Sequence, residues 1–437
     1  MNYAVEKQGF MPNERPKILK LLLFSLQILI SILPATIIVP LILGFPISTT
    51  IFTSGIGTLC FIAVTKGKVP LYFGSSFSFL GAVGSLMASS QLAEMTQTDK
   101  IAIVTFGIVV SGLLNILAGL FVKKIGVQSL TKVITPCLMG TIAMSIGATL
   151  TANAIGDSIG SGSNYGTAVA LLTLLSILLF SVYLKGFLQQ ISLLLGILVG
   201  ITASYFIMKV TGVNLFRDVV LNNNSVFSLP QIIFPKANWI AVIALAPVFL
   251  ATLPESWSHA LQIDILIDKL AESRKEKSSG IKEKIGEVLI GDGVADIVSS
   301  SLGGVASTSY GESISLMAIT KVYSIYAVIG ASILAIAISF FTPFINALYA
   351  IPLVVIGAAE IVCFGGIIAQ GIAIMKDKVD ILNPKDLLTI STVSVIAIGG
   401  QFYQGGIITL FGLQIPCIAG AAIFGIILNL LFSIKKQ

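Results

Sequence analysis

The sequence predicts an all-α polytopic membrane protein whose fourteen segments form two inverted repeats of seven. Three observations predict it. The first is composition: 55% of the 437 residues are hydrophobic and 11% charged, with mean hydropathy +0.99, whereas a soluble domain is about a quarter charged. The second is the number of stretches long enough to cross a hydrocarbon core. The third is where the lysines and arginines fall.

Apolar stretches of roughly 17–25 residues run over 18–43, 48–65, 70–90, 101–122, 133–154, 166–184, 190–208, 238–262, 285–303, 304–321, 323–346, 348–372, 386–403 and 415–434. The first follows Arg15, Lys17 and Lys20, as a signal peptide would. Its apolar run continues to about Gly44 without a small-residue cleavage site, so it reads as an uncleaved span. With the N-terminus placed in the cytoplasm, only Lys100, Lys209, Arg217 and Lys236 of the 26 basic residues fall outside. This strong positive-inside bias puts both ends of the chain, including the tail at 1–16, on the cytoplasmic side of a cell membrane. It also explains the net charge of +6 as membrane orientation rather than nucleic-acid binding.

Seven spans (17–210) precede the polar external loop at 211–237, and seven (238–434) follow it. An odd number per half gives the halves opposite orientations, which is the plan of an inverted repeat in secondary transporters. The charged stretch "DKLAESRKEKSSGIKEK" reads as a charged linker, a solvated helix and turn. Cys60, Cys137, Cys363 and Cys417 stand singly in apolar segments, so neither a disulfide framework nor a zinc site is indicated. Asn223-Asn224-Ser225 matches a glycosylation sequon.

The third span of each half is unusual. "YFGSSFSFLG" (72–81) and "STSYGESISL" (307–316) place Gly, Ser and aromatic residues where a plain span carries Leu and Ile. Interrupted segments at matching positions of two halves point to a midplane binding site, with irregular backbone kept inside the protein. Ser307, Thr308 and Ser309 suit a short strand that then opens a helix. Such a helix start offers free N–H groups beside Glu312, and Gly311 lets the backbone approach a ligand. A carboxylate beside N–H donors matches an amide or imide edge; the alternative is an acid that caps its own helix. The Phe77 ring could stack on a flat ligand or simply pack between helices.

A charge at mid-span costs about 2.5–3.5 kcal/mol on insertion scales, so each needs a reason. Glu255, Asp292, Asp296, Glu312 and Glu360 lie at that depth, and no Lys or Arg is expected at comparable depth to pair with them. Acids so placed carry a proton or meet a ligand. Glu255 and His259, the only histidine, are four apart and share a helix face, which suits a proton-handling pair. Asp292 and Asp296 are also four apart; they lie along one helix rather than facing across two, which disfavours an aspartyl protease dyad. Glu360 reads as a structural acid or a secondary proton site. One histidine and no cysteine cluster leave an intramembrane enzyme without its chemistry, and no metal site is expected.

These motifs carry a family resemblance. "APVFLATLPESWSHALQ", "SLGGVASTSYGESISLMAITKVYS" and "AIPLVVIGAAE" in the second half resemble the nucleobase–cation symporter family, which includes uracil permeases and nucleobase–ascorbate transporters. "SLQILISILPATIIVPLIL", "SGIGTL" and "KGKVPLYFGSSFSFLG" in the first half resemble it too. The resemblance implies a core domain from spans 1–4 and 8–11 and a gate domain from spans 5–7 and 12–14. It implies short strands in segments 3 and 10. It implies that Glu255 and Glu312 bind a base, that His259 supports proton coupling, and that Phe77, Gly311 and Tyr310 complete the pocket. Ser76, Ser313, Asp292 and Glu360 are secondary candidates. Ser313 stands where the family usually has Asn, Ser315 where it has Gly, and Ile28 where a His often follows Gln27. Glu312 itself favours a pyrimidine, since purine-type members typically carry Gln there. The implied function is proton-coupled import of a nucleobase, uracil first, with purine permeases and the sulfate/bicarbonate anion carriers as alternatives. No cofactor beyond the coupling proton is expected. A homodimer is a family expectation.

Overall fold

The computed structural model describes residues 9–126, 134–218, 225–278, 280–376, 378–403, 406–410 and 413–434. Lys132, Lys435, Lys436, the start of the tail and the sequon residues Asn223 and Asn224 lie outside the described residues.

The chain is almost entirely helical. The first half contains α1 (Ile18–Leu43), α2 (Ile47–Val64), β1 (Phe73–Ser75), α3 (Leu80–Met87), α4 (Gln97–Ile125), α5 (Pro136–Asp157), α6 (Asn164–Tyr183) and α7 (Ser192–Thr211). The second contains α8 (Trp239–Leu245), α9 (Phe249–Arg274), α10 (Ile285–Ser301), β2 (Ser307–Ser309), α11 (Gly311–Thr320), α12 (Ile325–Ser339), α13 (Thr342–Tyr349), α14 (Leu353–Met375), α15 (Pro384–Ser394), β3 (Ile407–Leu410), β4 (Leu413–Pro416) and α16 (Cys417–Ile434). Sequence sets many of the starts. Thr96, Thr135, Ser163, Asn238 and Asn383 each accept a hydrogen bond from a first-turn backbone N–H, satisfying donors a helix start leaves open.

Eight helices among the described residues are long and apolar enough to cross a membrane: α1, α2, α4, α5, α6, α7, the α8–α9 unit and α14. The protein is therefore a multi-pass membrane protein. The other expected segments are shorter or broken. The 323–346 stretch is not one continuous helix: α12 ends at Ser339, and α13 restarts at Thr342 with Pro343 in its first turn. The 386–403 stretch passes through a π turn at Val395–Gly399. Before α16, β3 pairs antiparallel with β4, Ile407 opposite Pro416. The first part of the charged 268–284 stretch is helical, since α9 continues to Arg274, and Arg274 forms an ion pair with Glu14 at 3.0 Å.

Small residues let helices meet backbone to backbone. A Cβ on Gly112 of α4 would stand 2.8 Å from the Gly293 carbonyl oxygen of α10, and one on Gly119 would stand 2.7 Å from that of Gly286. A Cβ on Gly147 of α5 would stand 2.7 Å from the Phe364 carbonyl oxygen of α14. These two seams hold the long helices around the centre.

At that centre the two strands pair antiparallel, Phe73 with Ser309, Gly74 with Thr308 and Ser75 with Ser307. Flanking bonds extend the ladder, from Tyr310 N–H to Tyr72 carbonyl (3.1 Å) and from Ser76 N–H to Ala306 carbonyl (2.8 Å). The strands are buried and mutually paired, which satisfies backbone groups that no helix serves. A half-helix leaves each strand, α3 through a tight turn at Phe77–Phe79 and α11 at Gly311.

Candidate functional site

A cavity of about 600 Å³ lies against the strand pair and the starts of both half-helices. Glu255, His259, Phe77, Tyr310, Gly311 and Glu312 all line it. Each is delivered by a different local device. Glu255 and His259 sit one turn apart on α9, which starts directly after a short turn containing Pro247. Gly311 and Glu312 open α11, with Tyr310 as the residue before it. Phe77 opens the turn after β1, and its ring meets Phe364 of α14 edge-on with centroids 6.5 Å apart.

The hydrogen bonds refine the expected pairing. Glu255 and His259 share a face, yet their bonded partners come from the strand region. Ser78 donates to Glu255 Oε2 at 3.3 Å. His259 Nδ1 bonds the Ser309 hydroxyl at 2.9 Å. The opposite nitrogen faces Gly311, where a Cβ would stand 3.4 Å from Nε2. Glu312 is accessible to the cavity although it lies in the protein interior, and its carboxylate bonds its own backbone N–H at the helix start. The Glu312 and Glu255 charges are within electrostatic reach of each other. The wall thus offers two carboxyl groups, one imidazole, an aromatic face and the N-terminal end of α11.

Tyr310 braces this wall. Its hydroxyl donates to the Ser75 carbonyl at 3.0 Å, and its ring covers Gly74. A Cβ on Gly74 would stand 2.7 Å from Tyr310 Cζ and 2.8 Å from Thr36 Oγ1, so only glycine fits beneath the ring. Ser313 donates to the Tyr310 carbonyl at 2.8 Å and faces away from the cavity.

Ser76, Ser313, Asp292, Asp296 and Glu360 do not line the cavity. Asp296 lies behind it as a support: its Oδ1 accepts from Ser307 N–H at 2.7 Å, fixing the start of β2. Asp292 Oδ2 accepts from Asn115 Nδ2 at 3.1 Å, across the α4–α10 seam. Several lining residues are not among the expected site residues. Ser78 and Ser309 adjoin residues that are, and their types give the only signal. Cys363, Gln370, Gln262 and Gln190 extend the cavity toward one end of the molecule. Gln262 closes the motif that carries Glu255 and His259, Gln190 ends a short helix (Phe187–Gln190), and Cys363 and Gln370 lie on α14.

The described residues contain no group of three or more His, Cys, Asp or Glu that could hold a metal ion. The sequence of residues 19–406 matches the model of a permease family. The chain belongs to that family. It is the one its motifs resemble, that of nucleobase–cation symporters and nucleobase–ascorbate transporters, and the protein is a transporter rather than an enzyme. It is 32% identical to the uracil permease of Bacillus caldolyticus, over 97% of this chain and 95% of that one. It is 30% identical to the uracil permease of Bacillus subtilis strain 168, over 95% and 93%. It is 31% identical to a putative pyrimidine permease of Escherichia coli K12, over 97% and 92%. Among solved structures, the transmembrane domain of the cyanobacterial bicarbonate transporter BicA superposes with TM-score 0.60 at 16% identity, covering 96% of this chain and 99% of that one. Murine Slc26a9 in its inward-facing state superposes with TM-score 0.66 at 12% identity, covering 97% and 69%. The fold is shared with these anion transporters.

Proposed function

We propose that this permease transports a nucleobase, uracil in the first place, and imports it together with protons by alternating access across the cell membrane. The observation that carries this reading is the convergence of Glu255 and Glu312 with the start of α11 on one cavity wall. Carboxylates accept from ring N–H groups, backbone N–H groups donate to ring carbonyls, and Phe77 supplies a flat apolar face. About 600 Å³ is within the usual range of about 300–1,000 Å³ for small-molecule sites. The names of the sequence relatives, uracil and pyrimidine permeases, support a pyrimidine.

In this reading the fourteen segments form inverted sevens. The packing of α4 on α8 and of α1 on α12 is what a twofold relation between spans 1–4 and 8–11 leads one to expect. Those spans make the core domain, and spans 5–7 and 12–14 make the gate. The coupling protons bind at Glu255, with His259 and its Ser309 partner beside it. The cavity reaches Gln190, Gln262 and Ile374, close to Lys185, the 264–284 segment and Lys376, so its mouth lies on the cytoplasmic side by the charge rule. Both termini are then cytoplasmic, and the working unit is a homodimer in the bilayer.

The shared fold raises an anion carrier as the second reading. Two carboxyl groups on the cavity wall oppose it, since an anion calls for donors or positive charge. Uptake of labelled uracil, xanthine, hypoxanthine, adenine and bicarbonate into proteoliposomes, with and without a proton gradient, separates the readings. Gradient-driven accumulation of uracil supports the proposal; accumulation of bicarbonate alone overturns it, and a purine preference moves the substrate to the other branch of the family.

A further inference from the structure

Beyond the end of the cavity away from its mouth lies a buried acid that the site does not use. On α14, Cys363, Ile367, Gln370 and Ile374 face the cavity. They stand three or four apart, on one face of the helix. Glu360 is the next position on that stripe, one turn before Cys363 and on the side away from the mouth. It is 0% exposed, and neither carboxyl oxygen has a hydrogen-bond partner among the described residues. A purely structural acid at this depth would be expected to have its oxygens bonded.

The groups around it form a line. Asp157 ends α5 on the same side: a Cβ on Gly357 would stand 2.6 Å from the Asp157 carbonyl carbon, and the Asp157 charge reaches Glu360. Arg217 lies within electrostatic reach of Asp157, and its backbone N–H bonds the Ala350 carbonyl near the start of α14. Cys363 lies within reach of both Glu360 and Glu312. Of the other helices packed on α14, α6 has no Asp, Glu, Lys, Arg or His, while Lys209 of α7 and Lys20 of α1 are exposed. Arg217, Asp157, Glu360, Cys363 and Glu312 thus mark a route from the closed face to the substrate wall.

We propose that Glu360 is a second proton-binding site of the transport cycle, loaded from the face opposite the cavity mouth. An O–H bond forms on its carboxylate from a hydronium ion at that face. That bond breaks when the proton passes to water on the cavity side, leaving the carboxylate. This rests on the reading of proton-driven uptake, and it predicts one coupled proton beyond those handled by Glu255 and His259.

The test uses purified full-length protein in proteoliposomes, with labelled uracil, fixed internal pH, varied external pH and a clamped membrane potential. Each coupled proton multiplies equilibrium accumulation about tenfold per pH unit of gradient. Glu360→Gln should therefore accumulate about tenfold less uracil at one pH unit, while uracil exchange without a gradient stays within twofold of wild type. Glu360→Asp, which keeps the proton, should retain the wild-type slope. Glu360→Met provides a second neutral variant if the Gln protein does not fold. A neutral variant with the wild-type slope overturns the proposal, as does a loss of gradient-free exchange equal to the loss of accumulation. Failure of the wild type to accumulate uracil under any gradient would instead reject the functional reading itself.

Discussion

Replacing Gly74 by alanine should weaken both the fold and the site through one contact. The added Cβ would stand 2.7 Å from Tyr310 Cζ. Carbon atoms rest at about 3.5–4.0 Å, and Tyr310 Cε2 lies nearer still, so the ring or the strand must yield by more than about 0.8 Å. The ring is not free to yield, because its hydroxyl is bonded to the Ser75 carbonyl and its backbone N–H to the Tyr72 carbonyl. Overpacking of this kind costs about 1–3 kcal/mol. The shift also passes directly to Gly311 and Glu312, the next residues in the chain. Loss of one hydrogen bond to a charged group, about 1.5–3 kcal/mol, lowers base affinity about 10- to 150-fold. Thermal unfolding of the detergent-solubilised protein and calorimetric titration with uracil measure the two effects. Gly84→Ala is the control, since its Cβ meets only Leu43 Cδ2 at 3.8 Å. If Gly74→Ala matches Gly84→Ala in both measurements, Tyr310 does not hold the wall as described.

Two further outcomes follow from the same wall. Asp296→Ala leaves the Ser307 N–H buried without its 2.7 Å acceptor; the protein should lose about 1–3 kcal/mol of stability, and uracil binding should weaken more than in a Ser300→Ala control, as calorimetry and unfolding would reveal. Cys363 lines the cavity whereas Cys137 and Cys417 are buried; in a Cys60→Ser background, a small maleimide should label Cys363, and saturating uracil should slow that labelling at least fivefold.

The sequence was most informative where composition broke its own pattern. "GSSFSF" and "STSYGES" contradict the apolar period of their neighbours, and the structure puts strands and half-helices there. Mid-span acids were equally legible, because each is costly in a bilayer. Partners were less so. A spacing of four sets Glu255 and His259 on one helix face, but it says nothing about a strand arriving from fifty residues away, and Ser309 is what His259 bonds. The role of Asp296 depends likewise on the return of the chain through Gly303 and Gly304 to Ser307. The break at Phe340–Phe341 does have a local signal in Pro343, which a count of apolar residues passes over, whereas the π turn at Val395–Gly399 and the pairing of Ile407–Leu410 with Leu413–Pro416 follow from packing that hydropathy does not report.

The central claim is that Glu312 meets the substrate. Calorimetric titration of uracil into wild type and Glu312→Ala, both folded by size exclusion and thermal unfolding, tests it most directly. Uracil should bind saturably to the wild type and not measurably to the variant. Equal affinity of the two proteins for uracil would contradict it.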